Sequence, residues 1–213
     1  MERPLSEYGL KAVRIVTELL KNEAIDVVYS SPYKRAIQTV EGIAHYINKD
    51  IKVVDELKER RLAYKPVEDF EAAITKVWED VDFAWEGGES NRWAQSRGIT
   101  SILNILENNK GKNIAIGTHG NIMVLMMNHF DSQYHMDFWE KLEMPDIYKL
   151  TFNKKELIGV RRIWDAPIWT VKSDNHRRIH YLQFIEHTKI CIPSIVIMYY
   201  NRNCNMFNIS QNN

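Results

Sequence analysis

The chain has 213 residues with 28 basic and 28 acidic side chains, and 45% of its residues are hydrophobic. This length suits one globular domain with an appendage, and a neutral chain with 11% aromatic residues is typical neither of a disordered protein nor of a dedicated nucleic-acid binder. Its two cysteines are too few for a disulfide framework or a cysteine-based zinc site, so we expect a reducing, cytoplasmic setting.

Helical and strand-like patterns alternate over the first 165 residues. Apolar spacing predicts helices around 10–20, 36–47, 66–78, 99–106 and 121–130. Short apolar runs predict strands over 25–29, 51–54 and 113–117. Pro66 is expected to open the third helix. Two apolar segments, 147–152 and 157–164, predict a closing hairpin. This alternation predicts a layered α/β domain with a mostly parallel sheet.

A polar motif, Ser30-Ser31-Pro32-Tyr33-Lys34-Arg35, follows the first predicted strand and enters a helix. In a parallel sheet the carboxyl end of a strand is where ligands bind, and the free N–H groups of a helix start favour anions. The planar fork of Arg35 suits two phosphate oxygens. The alternative interpretation is a solvated arginine on the first helical turn.

A histidine between two glycines, Gly117-Thr118-His119-Gly120, forms a second junction of strand and helix. Small neighbours let a ligand approach the backbone closely. An imidazole there can donate to a phosphoryl oxygen or take part in proton transfer. The alternative is a buried histidine whose ring bonds to a carbonyl group.

The third motif, Leu57-Lys58-Glu59-Arg60-Arg61, places an acid beside cations after the strand at 51–54. A carboxyl group there can protonate a leaving alkoxide. The neighbouring cations would lower its pKa and burial would raise it. The alternative is a solvated charged face.

Taken together, these motifs resemble the histidine phosphatase superfamily, the phosphoglycerate mutase-like proteins. The matching segments are 4–9 (Pro-Leu-Ser-Glu-Tyr-Gly), 30–39, the Leu-x-Glu-Arg of 57–60, 87–90 (Gly-Gly-Glu-Ser) and 117–120. Their order and approximate spacing agree with the family over residues 3 to 165. The resemblance implies a three-layer αβα sandwich, and the shorter insertions favour a phosphatase over a true mutase.

The resemblance also implies roles for four residues. Arg35 would clamp the phosphoryl oxygens, His119 would stabilise charge around phosphorus, Glu59 would act as the general acid, and Arg60 would help to hold the substrate. The expected partner is a small phosphorylated metabolite or inorganic phosphate, with no nucleic acid, no membrane, no metal and no other cofactor. Positioning and charge complementarity are what phosphoryl transfer requires.

The family's nucleophile is missing from this sequence. It belongs to an Arg-His-Gly motif, which occurs nowhere in the chain and would lie on an interior strand before Pro4. Without a covalent nucleophile the two-step route is lost. We therefore expect an N-terminally truncated member that lacks its usual first strand and is inactive or severely impaired. His45, His129 and His135 are poor substitutes because they fall in predicted helices or loops.

The composition changes after Asp165. We interpret 1–165 as the histidine phosphatase-like domain and 166–213 as an atypical tail, poorly ordered beyond Asn201. The apolar stretch Ile190 to Tyr200 is about half of the ~20 residues that a membrane span needs. One hypothesis is that Ile192 to Tyr200 fills the vacant position in the sheet. Another is that the chain is a mis-started reading of a phosphatase gene.

Two alternatives to an impaired phosphatase remain open. One is a non-catalytic phosphate-binding or interaction protein that retains Arg35 and His119. The other is a phosphoglycerate mutase, which would need a bisphosphate primer. Turnover of para-nitrophenyl phosphate separates an enzyme from a binding protein.

Overall fold

A six-stranded sheet lies at the centre of the computed structural model, which describes residues 2–164 and 194–200. In chain order the strands are β1 (Val27–Ser30), β2 (Ile51–Val53), β3 (Asn113–Thr118), β4 (Ile147–Asn153), β5 (Glu156–Arg162) and β6 (Ser194–Tyr200). Across the sheet their order is β2-β1-β3-β6-β4-β5. β1 is parallel to β2 and to β3, and β4 is parallel to β6. The β3–β6 and β4–β5 pairs are antiparallel. Three of the five neighbouring pairs are therefore parallel, and the sheet is mostly parallel, as expected.

Helices cover both faces of this sheet. They are α1 (Glu7–Lys21), α2 (Lys34–Tyr46), α3 (Phe70–Glu79), α4 (Asn91–Asn108), α5 (Gly120–Phe130) and α6 (Met136–Glu140). Side chains alternate between the two faces along a strand. Val27 and Tyr29 pack in a core cluster with residues of α4 and α5, whereas Val28 packs with residues of α1 and α2. This distribution confirms the predicted layers.

Side-chain caps set where several helices begin. The Ser90 hydroxyl accepts from the Trp93 amide at 3.2 Å, and α4 begins just after the Gly-Gly-Glu-Ser segment. The prediction that Pro66 opens the third helix is wrong. α3 begins at Phe70, because the Asp69 carboxylate caps it by accepting from the Ala72 amide at 2.9 Å. The short helix α6 was not predicted.

The interior of the sheet holds a strand from the C-terminal part of the chain. β6 lies between β3 and β4, and Ile197 is in register with Ala115 on one side and with Lys149 on the other. The hypothesis that this segment supplies an interior strand is therefore confirmed. The strand begins at Ser194, after Pro193, whose nitrogen cannot donate to a ladder. The predicted disorder beyond Asn201 lies outside the described residues.

Residues 194–200 belong to the sheet, although they follow the proposed domain boundary at residue 165, which remains a prediction. Across the described ranges, no helix combines the length and apolarity needed to cross a bilayer.

Candidate active site

The site lies where β1 and β3 end side by side. Ser30 is in parallel register with Gly117, so the loops after both strands leave the same edge of the sheet. Helices α2 and α5 begin after these loops, as in other α/β ligand sites. The loops bring Arg35 Nη2 to 3.3 Å from His119 Nδ1. The structure therefore brings together the two side chains that the first and second motifs singled out.

Both ring nitrogens of His119 have partners. Its Nε2 lies 2.8 Å from the Ser31 hydroxyl oxygen. Its Nδ1 accepts from Arg35, because a guanidinium group has only donors. Nε2 therefore carries the ring proton and donates it to Ser31. Tyr33 packs edge-on against the imidazole with 4.8 Å between ring centroids, and the Arg35 guanidinium lies 4.5 Å from the centre of the Tyr33 ring.

The surroundings of His119 keep its ring neutral. The residue is only 1% exposed. Burial lowers the pKa of His119 well below its ordinary value, and the positive charges of Arg35 and Arg97 lower that pKa further. An anion bound beside the ring would oppose all three effects, because negative charge favours the protonated imidazole. The protonation state of His119 is therefore coupled to the binding of an anion in this site.

The Glu59 carboxylate lies at the N-terminus of α5, next to His119 in the fold. One oxygen accepts from the Ile122 amide at 2.9 Å and from the Arg60 amide at 2.8 Å. The other accepts from the Asn121 amide at 3.2 Å. The first turn of a helix has free N–H groups and a positive dipole end, so a carboxylate is stabilised there. The structure places Glu59 beside the other predicted residues, but with both oxygens engaged as acceptors.

Two buried guanidinium groups face this helix start. Arg60 is 5% exposed and donates from Nε to Asn121 Oδ1 at 3.3 Å. Burial lowers the pKa of Arg60, while Glu59 and Glu89 act in the opposite direction. Arg35 is 8% exposed. Within the described part of the chain, neither Arg35 Nε nor Arg60 Nη1 has a hydrogen-bond partner. Buried donors without partners are costly, and an anion would satisfy them.

Sequence reasoning missed the neutral residues of the site. Ser31 fixes the orientation of His119, and Asn121 accepts from Arg60. Both lie inside or beside the predicted motifs, yet only charged side chains and the histidine were assigned roles. The signal is their position shortly after β1 and β3, because loops that follow a rigid scaffold carry many binding and catalytic residues.

The remaining described histidines do not join the site. His45, His129 and His135 are exposed, on α2, near the end of α5 and just before α6. None of these three has the buried position of His119. In the ranges 2–164 and 194–200, no group of three His, Cys, Asp or Glu side chains is arranged to hold a metal ion.

Comparison with known proteins is consistent with this geometry. The profile of the histidine phosphatase superfamily (branch 1) matches residues 1–161. The chain is 27% identical over 173 residues to phosphoglycerate mutase-like protein 4 from Arabidopsis thaliana, covering 76% of this chain and 69% of that protein.

Two solved structures share the fold. A mycobacterial glucosyl-3-phosphoglycerate phosphatase, in complex with inorganic phosphate, superposes with a TM-score of 0.54 at 18% identity, over 61% of this chain and 70% of its own. A phosphoglycerate mutase from Bacillus anthracis superposes with a TM-score of 0.50 at 18% identity, over 62% of this chain and 70% of its own. From the profile match over most of its length, we conclude that the chain belongs to the histidine phosphatase superfamily.

Proposed function

We propose that this protein binds the phosphoryl group of small phosphate monoesters at Arg35, Arg60 and His119. The observation that carries the proposal is the pair of buried guanidinium groups, each with an unused N–H donor, at the start of α5. Arginine is suited to phosphate because its fork matches two oxygens and because it stays charged when buried. The mycobacterial relative with bound inorganic phosphate supports the same ligand class. The cytoplasmic setting is part of this proposal.

Each residue has a distinct part in the proposed site. Arg35 exchanges its bond with His119 for bonds to a phosphoryl oxygen, which frees Nδ1 of the ring. The added negative charge raises the pKa of His119, so that the imidazole can take a proton and donate to the phosphoryl group. Arg60 contributes a second guanidinium from the segment that follows β2. Charge that develops on phosphoryl oxygens is then met by preorganised donors.

The sequence carries no Arg-His-Gly motif, so we propose that this chain hydrolyses phosphate esters at most weakly. In the family, the histidine of that motif forms the covalent intermediate. His119 is an unsuitable replacement because Nε2 donates its proton to Ser31 and the unprotonated Nδ1 already accepts from the cationic Arg35. Phosphate binding survives this loss, since it depends on the arginines.

One observation favours a non-catalytic phosphate-binding protein as the second candidate. Glu59, the proposed general acid, accepts three backbone N–H bonds with its two oxygens. These three bonds leave only one lone-pair site of the carboxylate for the proton that a general acid must carry. Turnover therefore decides between the candidates: hydrolysis that depends on Glu59 supports an enzyme, whereas binding without hydrolysis supports the second function.

Calorimetric titration with inorganic phosphate tests the proposal. We expect the wild-type chain to bind phosphate and Arg35→Gln to weaken binding by about tenfold or more, because a charge-assisted hydrogen bond contributes about 1.5–3 kcal/mol. Arg14→Gln, which removes an exposed arginine on α1, is the matched control and should bind as the wild type does. Para-nitrophenyl phosphate hydrolysis is measured on the same samples.

A second measurement does not depend on the variant folding. Titrating phosphate into the wild-type chain should shift the imidazole NMR signals of His119 and leave those of His129 unchanged. If phosphate does not bind, or binds equally well to Arg35→Gln and the wild type without moving the His119 signals, the proposal is wrong.

A further inference from the structure

A buried ion pair lies behind the segment that carries Glu59 and Arg60. Arg97, on α4, donates from Nε to one carboxylate oxygen of Glu89 at 2.8 Å and from Nη2 to the other at 3.0 Å. The two side chains are only 11% and 14% exposed. Burial alone would raise the pKa of Glu89, but the bonds from Arg97 and from the Arg61 amide hold that pKa below its ordinary value. The pair is therefore fully charged at neutral pH.

The guanidinium of Arg97 also bonds to the backbone of the segment 56–59. It donates to the carbonyl of Lys58 at 3.0 Å, to that of Glu59 at 3.4 Å, and to that of Glu56. A single side chain thus reaches three carbonyl groups immediately before and at the proposed acid. Five donor contacts to carbonyl and carboxylate oxygens use the whole fork, a geometry that lysine cannot reproduce.

Glu89 holds the other side of the same segment. Its carboxylate accepts from the Arg61 amide at 3.1 Å, and its own amide donates to the Arg61 carbonyl at 2.7 Å. Gly88 makes this approach possible, since a Cβ there would lie 2.0 Å from the Leu62 carbonyl oxygen. The segment 56–61 is therefore bonded at both ends to the Gly-Gly-Glu-Ser loop and α4.

From these contacts we infer that Glu89 and Arg97 are positioning residues, which hold Glu59 on the first turn of α5 and Arg60 against Asn121. The inference rests on the proposed phosphate-binding function for the role of Arg60. Neither side chain touches the proposed ligand. The pair acts through the backbone of residues 56–61, so its loss should loosen Glu59 and Arg60 together.

The test compares Arg97→Met with a matched variant on the same helix. Arg92 forms an exposed ion pair with Asp82, so Arg92→Met removes an arginine of α4 without touching the segment 56–61. We expect Arg97→Met to weaken binding of inorganic phosphate by about tenfold, the cost of one misplaced charge-assisted bond, and Arg92→Met to leave it unchanged.

A second readout follows the segment itself. The amides of Asn121 and Ile122 donate to Glu59, so their NMR shifts and hydrogen exchange report whether Glu59 stays in place. In Arg97→Met we expect both amides to shift and to exchange at least tenfold faster relative to the amides of β3, which follow global stability. Glu89→Gln, which keeps the size of the side chain, should act in the same direction, and Arg97→Lys should not restore the wild-type behaviour.

The outcomes separate the two proposals. If the wild type does not bind phosphate, the proposed function fails, while the Asn121 and Ile122 amides still test the positioning pair. If Arg97→Met and Glu89→Gln leave those amides at their wild-type shifts and exchange rates, the positioning role is overturned. It is also overturned if the wild type binds phosphate and both variants bind it equally well. Should Arg97→Met fail to fold, Glu89→Gln decides by the same criteria.

Discussion

At the scale of single residues, the burial of His119 determines its chemistry. The imidazole of His119 is buried near two arginines and is neutral. Its Nδ1 accepts a hydrogen bond from the Arg35 guanidinium. The Ser31 hydroxyl then takes the proton of Nε2. The burial of this ring therefore links its protonation to the stability of the protein.

We expect the His119→Asn variant to lose part of the pH dependence of stability. Because the folded state lowers the pKa of His119, the unfolded chain binds a proton below pH 6.5 that the folded chain does not. The contribution of His119 is complete above that pH and is lost as the pH falls, by about 1.4 kcal/mol per pH unit at most. Urea unfolding at pH 7.5 and pH 5.5 measures this difference.

The matched control is His129→Asn, which removes an exposed histidine from α5, and we expect it to keep the wild-type dependence. Equal losses of stability between pH 7.5 and 5.5 in the wild type and His119→Asn would contradict the buried neutral ring.

At the scale of elements, the site depends on how closely α2 approaches β3. Gly117, on β3, lies against α2, and a Cβ there would lie 2.8 Å from the Ala36 carbonyl oxygen and 3.1 Å from a methyl carbon of Val40. Ala36 follows Arg35 in the first turn of α2. The absence of a side chain at Gly117 therefore lets α2 lie near enough for Arg35 to reach His119.

Gly117→Ala should destabilise the protein by about 1–3 kcal/mol, because the added methyl group must displace the backbone of α2. The same displacement should weaken phosphate binding. Gly159→Ala is the control, since a Cβ at that strand position would meet nothing closer than Thr151 Cβ at 4.0 Å. Urea unfolding of both variants measures the difference, and equal stability would argue against close packing at Gly117.

At the scale of the whole molecule, β6 joins the two halves of the sheet. One half contains β1, β2 and β3, and the other contains β4 and β5. β6 is antiparallel to β3 over its register from Ser194 to Tyr199 and parallel to β4 from Ile195 to Tyr200. An interior strand has partners on both edges, so without β6 two long edges would be left unpaired, which favours aggregation.

The backbone amides of 195–199 should be protected from hydrogen exchange to a degree similar to those of β3. Val196→Pro removes one N–H donor of this ladder. We expect the free energy of unfolding to fall by roughly 1–3 kcal/mol or more, because a carbonyl acceptor loses its partner. Val196→Ala keeps the N–H group and separates the backbone effect from that of the side chain. Exchange of 195–199 at the rate of an unstructured peptide would show that β6 is not part of the sheet.

Much of the fold and part of the site follow from local patterns in the sequence. Apolar periodicity located α1, α2, α4 and α5 and the hairpin of β4 and β5, because each buries one face or one edge. The order of the motifs identified the family. Arg35 and His119 were predictable as parts of one site because each follows a strand of a parallel sheet, and the carboxyl ends of neighbouring parallel strands share an edge.

Contacts between segments that are distant in sequence were decided only by the tertiary structure. Ser31 meets His119 across 88 positions, Glu59 accepts from an amide 63 positions later, and Arg97 reaches back about 40 positions to the segment 56–59. No local periodicity encodes such pairs, because they depend on where whole elements pack. The direction of β6 belongs to the same class: its residues determine that it forms a strand, whereas its neighbours in the sheet determine which way it runs.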